Sequence, residues 1–125
     1  MEASTVKYNL TLSTDDGRIA DWVAKQLVRF WGEERISASG FVREPNPQAR
    51  VLTVIYDPAA CPPYRVLEKV RVAARQFCVD VVEADIVGEI PLSVLLETAE
   101  YTLMVRCIRP GQVIGPWEGG AKIKV

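Results

Sequence analysis

The chain has 125 residues, of which 49% are hydrophobic and 25% are charged, and its formal net charge is −1. These values indicate a single globular domain and exclude an intrinsically disordered chain. The near-neutral balance also argues against nucleic-acid binding, which relies on a positive field.

Histidine is absent, and this restricts the available chemistry more than any other feature of the composition. Ser–His and Cys–His catalysis and histidine metal sites are therefore excluded within this chain. Cys61, Cys78 and Cys107 form no Cys-x-x-Cys pair, so we expect reduced thiols in a cytoplasmic protein. The N-terminus lacks the pattern of a signal peptide, and no apolar run is long enough to cross a membrane, so we expect no membrane partner.

The first predicted elements are a strand at about residues 5–13 and a helix that Gly32 ends. Asp15 and Asp16 precede the helix and are good N-cap residues. We expect Trp22 and Trp31 to pack in the core, as large aromatic side chains on a helix usually do. The apolar stripe of this helix comprises Ile19, Trp22, Val23, Leu27 and Phe30.

Two further strands are predicted at about residues 36–42 and 51–56. The segment between them, Glu44–Gln48, is polar and contains two prolines, which is typical of a turn. Two strands joined by a short turn form a hairpin.

A second helix is predicted after Cys61-Pro62-Pro63, since proline is tolerated in the first turn of a helix. A cysteine at that position could be stabilised as a reactive thiolate, although we favour an unreactive thiol. The apolar stripe comprises Val66, Val70, Ala74 and Phe77. The other face carries Arg65, Glu68, Lys69, Arg71 and Arg75, which favours a solvated face over an anion site.

A fourth strand is predicted within residues 79–87, followed after Pro91 by a third helix. Residues 101–108 could prolong this helix or form a strand, and their β-propensity favours the strand. Residues 115–120 are glycine-rich but lack the lysine of a phosphate loop, so we expect a turn, and residues 122–125 alternate like a short edge strand. The predicted stripe of the third helix comprises Leu92, Leu95, Leu96 and Ala99.

This order predicts an α+β, ferredoxin-like βαββαβ domain: an antiparallel sheet with two helices on one face, plus an extra C-terminal helix and tail. The other face of such a sheet must be covered by a partner, a second copy or the tail, so we expect a homo-oligomer or a subunit of a larger assembly. Four acidic residues could gather at one end of the sheet for proton transfer or cation binding, although solvated carboxylates are favoured. These residues are Asp57, Glu83, Asp85 and Glu89.

The segment from Pro63 to Ala99 resembles the formiminotransferase family, which has a Val-Val-Gly-Ser-Glu-Ile-Val-Gly-Leu-Val-Pro run before a Leu-Leu-acidic-Ala-Ala helix. Here the run reads Val-Val-Glu-Ala-Asp-Ile-Val-Gly-Glu-Ile-Pro, from Val81 to Pro91. Asn9–Leu12 is similar to the Asn-Ile-Asn-Leu first strand of the family, and Ala38–Phe41 to its Gly-Ile-Gly-Trp step. The resemblance is to the C-terminal subdomain, and we assign residues 1–101 to it.

Residues 102–125 do not share the resemblance, and we expect a divergent tail there that could form a β-hairpin. The resemblance implies that a formimino or formyl group moves between a small amino acid and tetrahydrofolate. In the family the ligand lies between two ferredoxin-like subdomains, and the catalytic histidine belongs to the N-terminal one. We therefore expect a stand-alone subunit that needs a separately encoded N-terminal-type partner and has no catalytic residue or metal of its own.

The resemblance guides the choice of five ligand-binding residues. Gly40 would allow close backbone approach, and Arg50 could pair with a carboxylate or a polyglutamate tail of the ligand. Tyr64 could stack on the pterin ring, with Thr11 and Thr53 nearby.

Several polar positions of the family are replaced in this chain. Its Gly-Ser is Glu83-Ala84, an asparagine is Val54, a second asparagine is Thr11, and the histidine that opens the second helix is Tyr64. Packing positions such as Gly88 and Pro91 are retained. Two alternatives therefore remain beside a folate-binding subunit: a non-catalytic homo-oligomerisation or interaction module that has lost folate binding, and, less favoured, an independent transferase.

Overall fold

The computed structural model describes residues 5–115, so the edge strand predicted at 122–125 and most of the turn predicted at 115–120 lie outside the described residues. The observed order of elements is the predicted one, and most boundaries agree within three residues. The elements are β1 (Val6–Leu12), α1 (Gly17–Trp31), β2 (Ile36–Arg43), β3 (Gln48–Ile55), α2 (Pro63–Arg75), β4 (Val81–Val87), α3 (Leu92–Leu103) and a short 3₁₀ turn (Pro110–Gln112).

The four strands form one sheet in the order β2-β3-β1-β4, and every neighbouring pair is antiparallel. Thr11 on β1 lies opposite Arg50 on β3 and opposite Glu83 on β4. This topology confirms the predicted ferredoxin-like fold, in which the two βαβ halves place their helices on the same side.

The hydrophobic core lies between this sheet and the helices α1 and α2. Alternate residues of β1 and β3 point into it, while α1 and α2 contribute residues at spacings of three and four. Each fully buried valine or leucine contributes about 1.5–3 kcal/mol relative to an exposed one. The fully buried members include Val6, Leu10, Leu12, Val23, Leu27, Ile36, Val51, Ile55, Val66 and Val70.

The predicted ends of α1 are confirmed. The carboxylate of Asp16 accepts a hydrogen bond from the backbone N–H of Arg18 at 2.9 Å, which caps the helix. The Arg18 side chain also donates to this carboxylate, and these bonds lower the pKa of Asp16. Gly32 ends the helix, with its N–H donating to the carbonyl of Val28.

The aromatic residues of α1 are less buried than the apolar stripe predicts. Trp22 and Trp31 pack against the core only in part. Phe30 is 60% exposed, and the Lys69 ammonium of α2 lies 3.9 Å from its ring centre. The prediction that Phe30 belongs to the core stripe is therefore wrong, because it lies at the outer edge of the α1–α2 interface.

The last helix departs most from the sequence patterns. The buried residue of α3 is Val94, whereas Leu92 and Leu95 of the predicted stripe are exposed, since α3 packs mainly on α2 within residues 5–115. The helix continues to Leu103, where Met104 adopts a left-handed conformation, so a strand at 101–108 is wrong. No helix within residues 5–115 is long and apolar enough to cross a membrane.

Candidate ligand surface on the open sheet face

Strand alternation gives the sheet a second face, directed away from α1 and α2, which we call the open face. Apolar side chains are interspersed there with polar and charged ones, and Phe41 and Val87 are about half exposed. Such a mixed surface is suited to a ligand or partner that has both apolar and hydrogen-bonding parts. The face comprises Lys7, Asn9 and Thr11 of β1, Ser37, Ser39, Phe41 and Arg43 of β2, Gln48, Arg50, Leu52 and Val54 of β3, and Glu83, Asp85 and Val87 of β4.

Two adjoining depressions mark one end of this face. The inner depression, of about 300 Å³, lies over the strands. The outer depression, of about 430 Å³, is formed at the β4–α3 turn, where Gly88 adopts a positive φ of 85° and redirects the chain. Lys7 and Val87 line both. The inner one is otherwise lined by Asn9, Ser37, Ser39, Leu52, Thr53 and Val54, and the outer one by Thr5, Gly88, Glu89, Ile90 and Pro91.

A polar network spans three strands of the open face. Arg50 on β3 donates from Nε to the hydroxyl of Thr11 at 3.2 Å. Its terminal nitrogen donates to Asp85 on β4 at 2.8 Å, across the intervening β1. The side chain of Arg50 is 14% exposed and that of Asp85 is 52% exposed. Arg50, which the sequence analysis assigned to a ligand carboxylate, thus already has a carboxylate partner within the fold.

The structure brings Thr11 and Arg50 together on the open face, although neither lines a depression, and it places Gly40 and Tyr64 elsewhere. Gly40 lies on the opposite, helix-facing side of β2. A Cβ atom there would come 2.5 Å from Oδ1 and 2.6 Å from the backbone nitrogen of Asp21. The position needs glycine because α1 approaches the strand closely, which corrects the expectation that a ligand does so.

Thr53 lines the inner depression, but its side chain points into the core, whereas Tyr64 lies away from the open face altogether. The hydroxyl of Thr53 donates to the carbonyl of Tyr8, and the residue is only 1% exposed. The ring of Tyr64 stacks on Tyr101 of α3 with 4.4 Å between ring centres. Tyr64 therefore joins α2 to α3 on the helix side, where one face of its ring is already covered.

Four polar residues that sequence reasoning missed line the inner depression: Lys7, Asn9, Ser37 and Ser39. Their strands were predicted correctly, and the period of two along each strand was the signal that could have found them. The period does not determine the order in which the strands lie in the sheet. The fold supplies that order, which places β1 between β3 and β4.

The remaining candidates do not form sites. Cys61 is fully buried and burial raises the pKa of its thiol to about 11, so a reactive thiolate at that position is excluded. Asp57 lies 4.0 Å from Arg35, and Asp85 is held by Arg50. Within residues 5–115, no three His, Cys, Asp or Glu side chains lie close enough to hold a metal ion, so the four acidic residues do not gather.

Within residues 5–115, the elements form an α+β domain of the ferredoxin-like type with one sheet face left open. Comparison with known proteins identifies its family. The family model "Formiminotransferase domain" matches residues 8–107, and the chain belongs to this family.

The chain is similar to the glutamate formimidoyltransferase of Streptococcus pyogenes serotype M1, at 31% identity over 102 residues. The alignment covers 80% of this chain and 34% of that protein, so the chain spans about a third of the length of this relative. A de novo designed protein with a ferredoxin fold, solved by solution NMR, aligns with a TM-score of 0.43 at 13% identity. This alignment covers 71% of this chain and 89% of the designed protein.

Proposed function

We propose that this chain is a folate-binding domain of a formiminotransferase-type assembly and that a reduced folate binds on the open face. The observation that carries the proposal is the inner depression, which lies on the open face of the sheet in a domain of this family. Its walls combine amide and hydroxyl groups with the apolar side chains of Leu52, Val54 and Val87. A pterin has both an apolar ring face and hydrogen-bonding edges, which matches such a lining.

The transfer reaction requires more than this domain provides. Moving a formimino group breaks a carbon–nitrogen bond to the amino acid and forms one to a nitrogen of tetrahydrofolate, so protons must be delivered and removed. The chain has no histidine for that purpose. We propose that a second domain or subunit, of the N-terminal formiminotransferase type, covers the open face and supplies the acid–base group. The present chain would then bind the folate and orient it for the transfer.

Calorimetric titration with 5-formyltetrahydrofolate tests the proposal directly. We expect saturable binding at micromolar concentration by the isolated chain. Ser39→Trp would fill the inner depression and abolish binding, because Ser39 is exposed on its wall. Ser93→Trp is the matched control, since Ser93 is an exposed residue of α3 that lines neither depression. The proposal fails if the folded wild-type chain shows no heat at several temperatures, or if both variants bind as well as wild type.

A second candidate function rests on the apolar part of the same face. Phe41 is 50% exposed and Val87 49% exposed, with Leu52 and Val54 half-buried between them. A second copy of the chain could cover this surface in a closed two-fold dimer with no folate bound. Sedimentation velocity distinguishes the two. A dimer that Phe41→Ser disrupts and 5-formyltetrahydrofolate leaves unchanged would favour the assembly module, whereas a monomer that binds folate would exclude it.

A further inference from the structure

The basic residues on the open face differ in whether the fold has already paired them. Arg50 is largely buried and bonded to both Thr11 and Asp85. Lys7 is exposed, and within residues 5–115 it forms no ion pair. A ligand anion that approached Arg50 would have to displace Asp85 first, whereas no carboxylate of residues 5–115 lies within ion-pair distance of Lys7.

Lys7 also lies where the two depressions meet. It lines both, together with Val87, which faces it across the β1–β4 pair. On the inner side the neighbouring groups are uncharged hydrogen-bonding side chains of Asn9, Ser37 and Ser39. The one acidic lining residue is Glu89, in the outer depression, and it lies beyond ion-pair distance of Lys7. A cation beside uncharged hydrogen-bonding groups can bind an anionic group of a ligand and fix its orientation.

Arg43 is the other basic side chain on this face. It lies at the far end of β2, opposite Gln48, and lines neither depression. It therefore lacks the concave surroundings that Lys7 has. Of the three basic residues on the open face, Lys7 is therefore the one that a molecule bound in the depressions would contact.

We propose that Lys7 is the anion-recognition residue of this domain and binds the carboxylate of its ligand at the junction of the two depressions. The uncharged body of the ligand then lies over Leu52 and Val54 in the inner depression. This inference rests on the proposed function, in which the carboxylate is that of the glutamate part of a folate. It assigns to Lys7 the contact that sequence reasoning gave to Arg50, and it leaves Arg50 to hold β3 and β4 in place.

Lys7→Gln and Arg50→Gln, measured in parallel, test the assignment. We expect Lys7→Gln to weaken binding of 5-formyltetrahydrofolate about tenfold, because a charge-assisted hydrogen bond is lost. Arg50→Gln should change it less than about twofold, and Lys7→Arg should restore most of the affinity. Lys25→Gln, at an exposed position of α1, controls for net charge. A tetrahydropterin that lacks the glutamate should bind wild type and Lys7→Gln equally.

Backbone NMR shifts with glutarate, a dicarboxylate probe, separate this inference from the proposed function. If the wild type binds no folate but glutarate shifts the amides of Lys7, Asn9 and Val87, the anion site stands and the folate proposal fails. If folate binds and Arg50→Gln weakens it while Lys7→Gln does not, the folate proposal stands and this inference is overturned. If neither probe binds, both are overturned. Preserved amide dispersion in each variant shows that it is folded.

Discussion

The guanidinium of Arg50 donates to the carboxylate of Asp85 across the middle strand of three, at 2.8 Å. The two residues lie 35 positions apart, on β3 and β4, and Thr11 of β1 accepts a second hydrogen bond between them. One cation therefore joins three strands on the face where a ligand is proposed. Because these contacts already occupy its guanidinium, Arg50 has a structural role and is not free to bind a ligand.

Removing the charge of Asp85 tests how much its ion pair with Arg50 stabilises the fold. We expect Asp85→Asn to lower the free energy of unfolding by about 0.5–1 kcal/mol, since the pair is only partly buried, and less at high salt. The neighbouring acid Glu83, on the same face, forms no ion pair within residues 5–115, so Glu83→Gln is the matched control. Urea denaturation measures both. Equal losses in the two variants would show that the Arg50–Asp85 bond contributes nothing specific.

Gly40 tests whether the helix or a ligand requires glycine on β2. Gly40→Ala would place a Cβ atom 2.6 Å from the backbone nitrogen of Asp21 and 2.8 Å from the backbone carbon of Ala20. Backbone atoms cannot rotate away, so we expect a loss of about 1–3 kcal/mol in unfolding free energy. Gly111→Ala, which meets nothing within 4 Å, should leave stability nearly unchanged. If Gly40→Ala is as stable as wild type but loses folate affinity, glycine is needed for the ligand after all.

The three cysteines should react at different rates with iodoacetamide. Cys78 and Cys107 are exposed, while Cys61 is buried with its thiol pKa raised to about 11 by burial and by the charge of Asp57. At about pH 8 the native protein should therefore be alkylated at Cys78 and Cys107 and spared at Cys61. Peptide mass spectrometry reads this directly. Rapid labelling of Cys61 in folded protein would contradict its placement.

The same thiol makes stability depend on alkaline pH. Because the folded pKa lies above the ordinary value of 9.0, the folded state retains the proton that the unfolded chain loses. The contribution of Cys61 to stability is complete below about pH 9 and is lost as the pH rises through about 11. We expect Cys61→Ala to show a shallower fall in stability over this range than wild type. Parallel slopes in denaturation experiments would refute the assignment.

Tyr101 should hold α3 against α2. Its ring stacks on Tyr64, and its hydroxyl donates to the carboxylate of Glu68, a bond that raises the pKa of Tyr101. We expect Tyr101→Ala to speed amide hydrogen exchange throughout α3 while leaving α1 protected. Tyr101→Phe keeps the stacked ring and loses only the hydroxyl bond, so its effect should be intermediate. Unchanged exchange of α3 in the alanine variant would show that other contacts dock it.

Local patterns in the sequence determined the order of elements and hence the fold. The alternation in β1 and the Asp16 and Gly32 boundaries of α1 depend on residues adjacent in the chain, so they can be recognised without a structure. The same holds for the β2–β3 hairpin, whose turn chemistry is local. The resemblance to the formiminotransferase family, since confirmed by the family match, likewise depends on short runs of residues.

Only the tertiary structure decided which residues share a surface. Arg50 and Asp85 meet because β1 lies between their strands, and no local pattern encodes that neighbourhood. Gly40 faces α1 although its sequence context is equally compatible with a ligand, since the direction of its face follows from the whole sheet. In α3, strand propensity near residue 102 was overridden by the docking of Tyr101 on α2. Secondary structure follows from neighbours in the chain, whereas a site is made by neighbours in space.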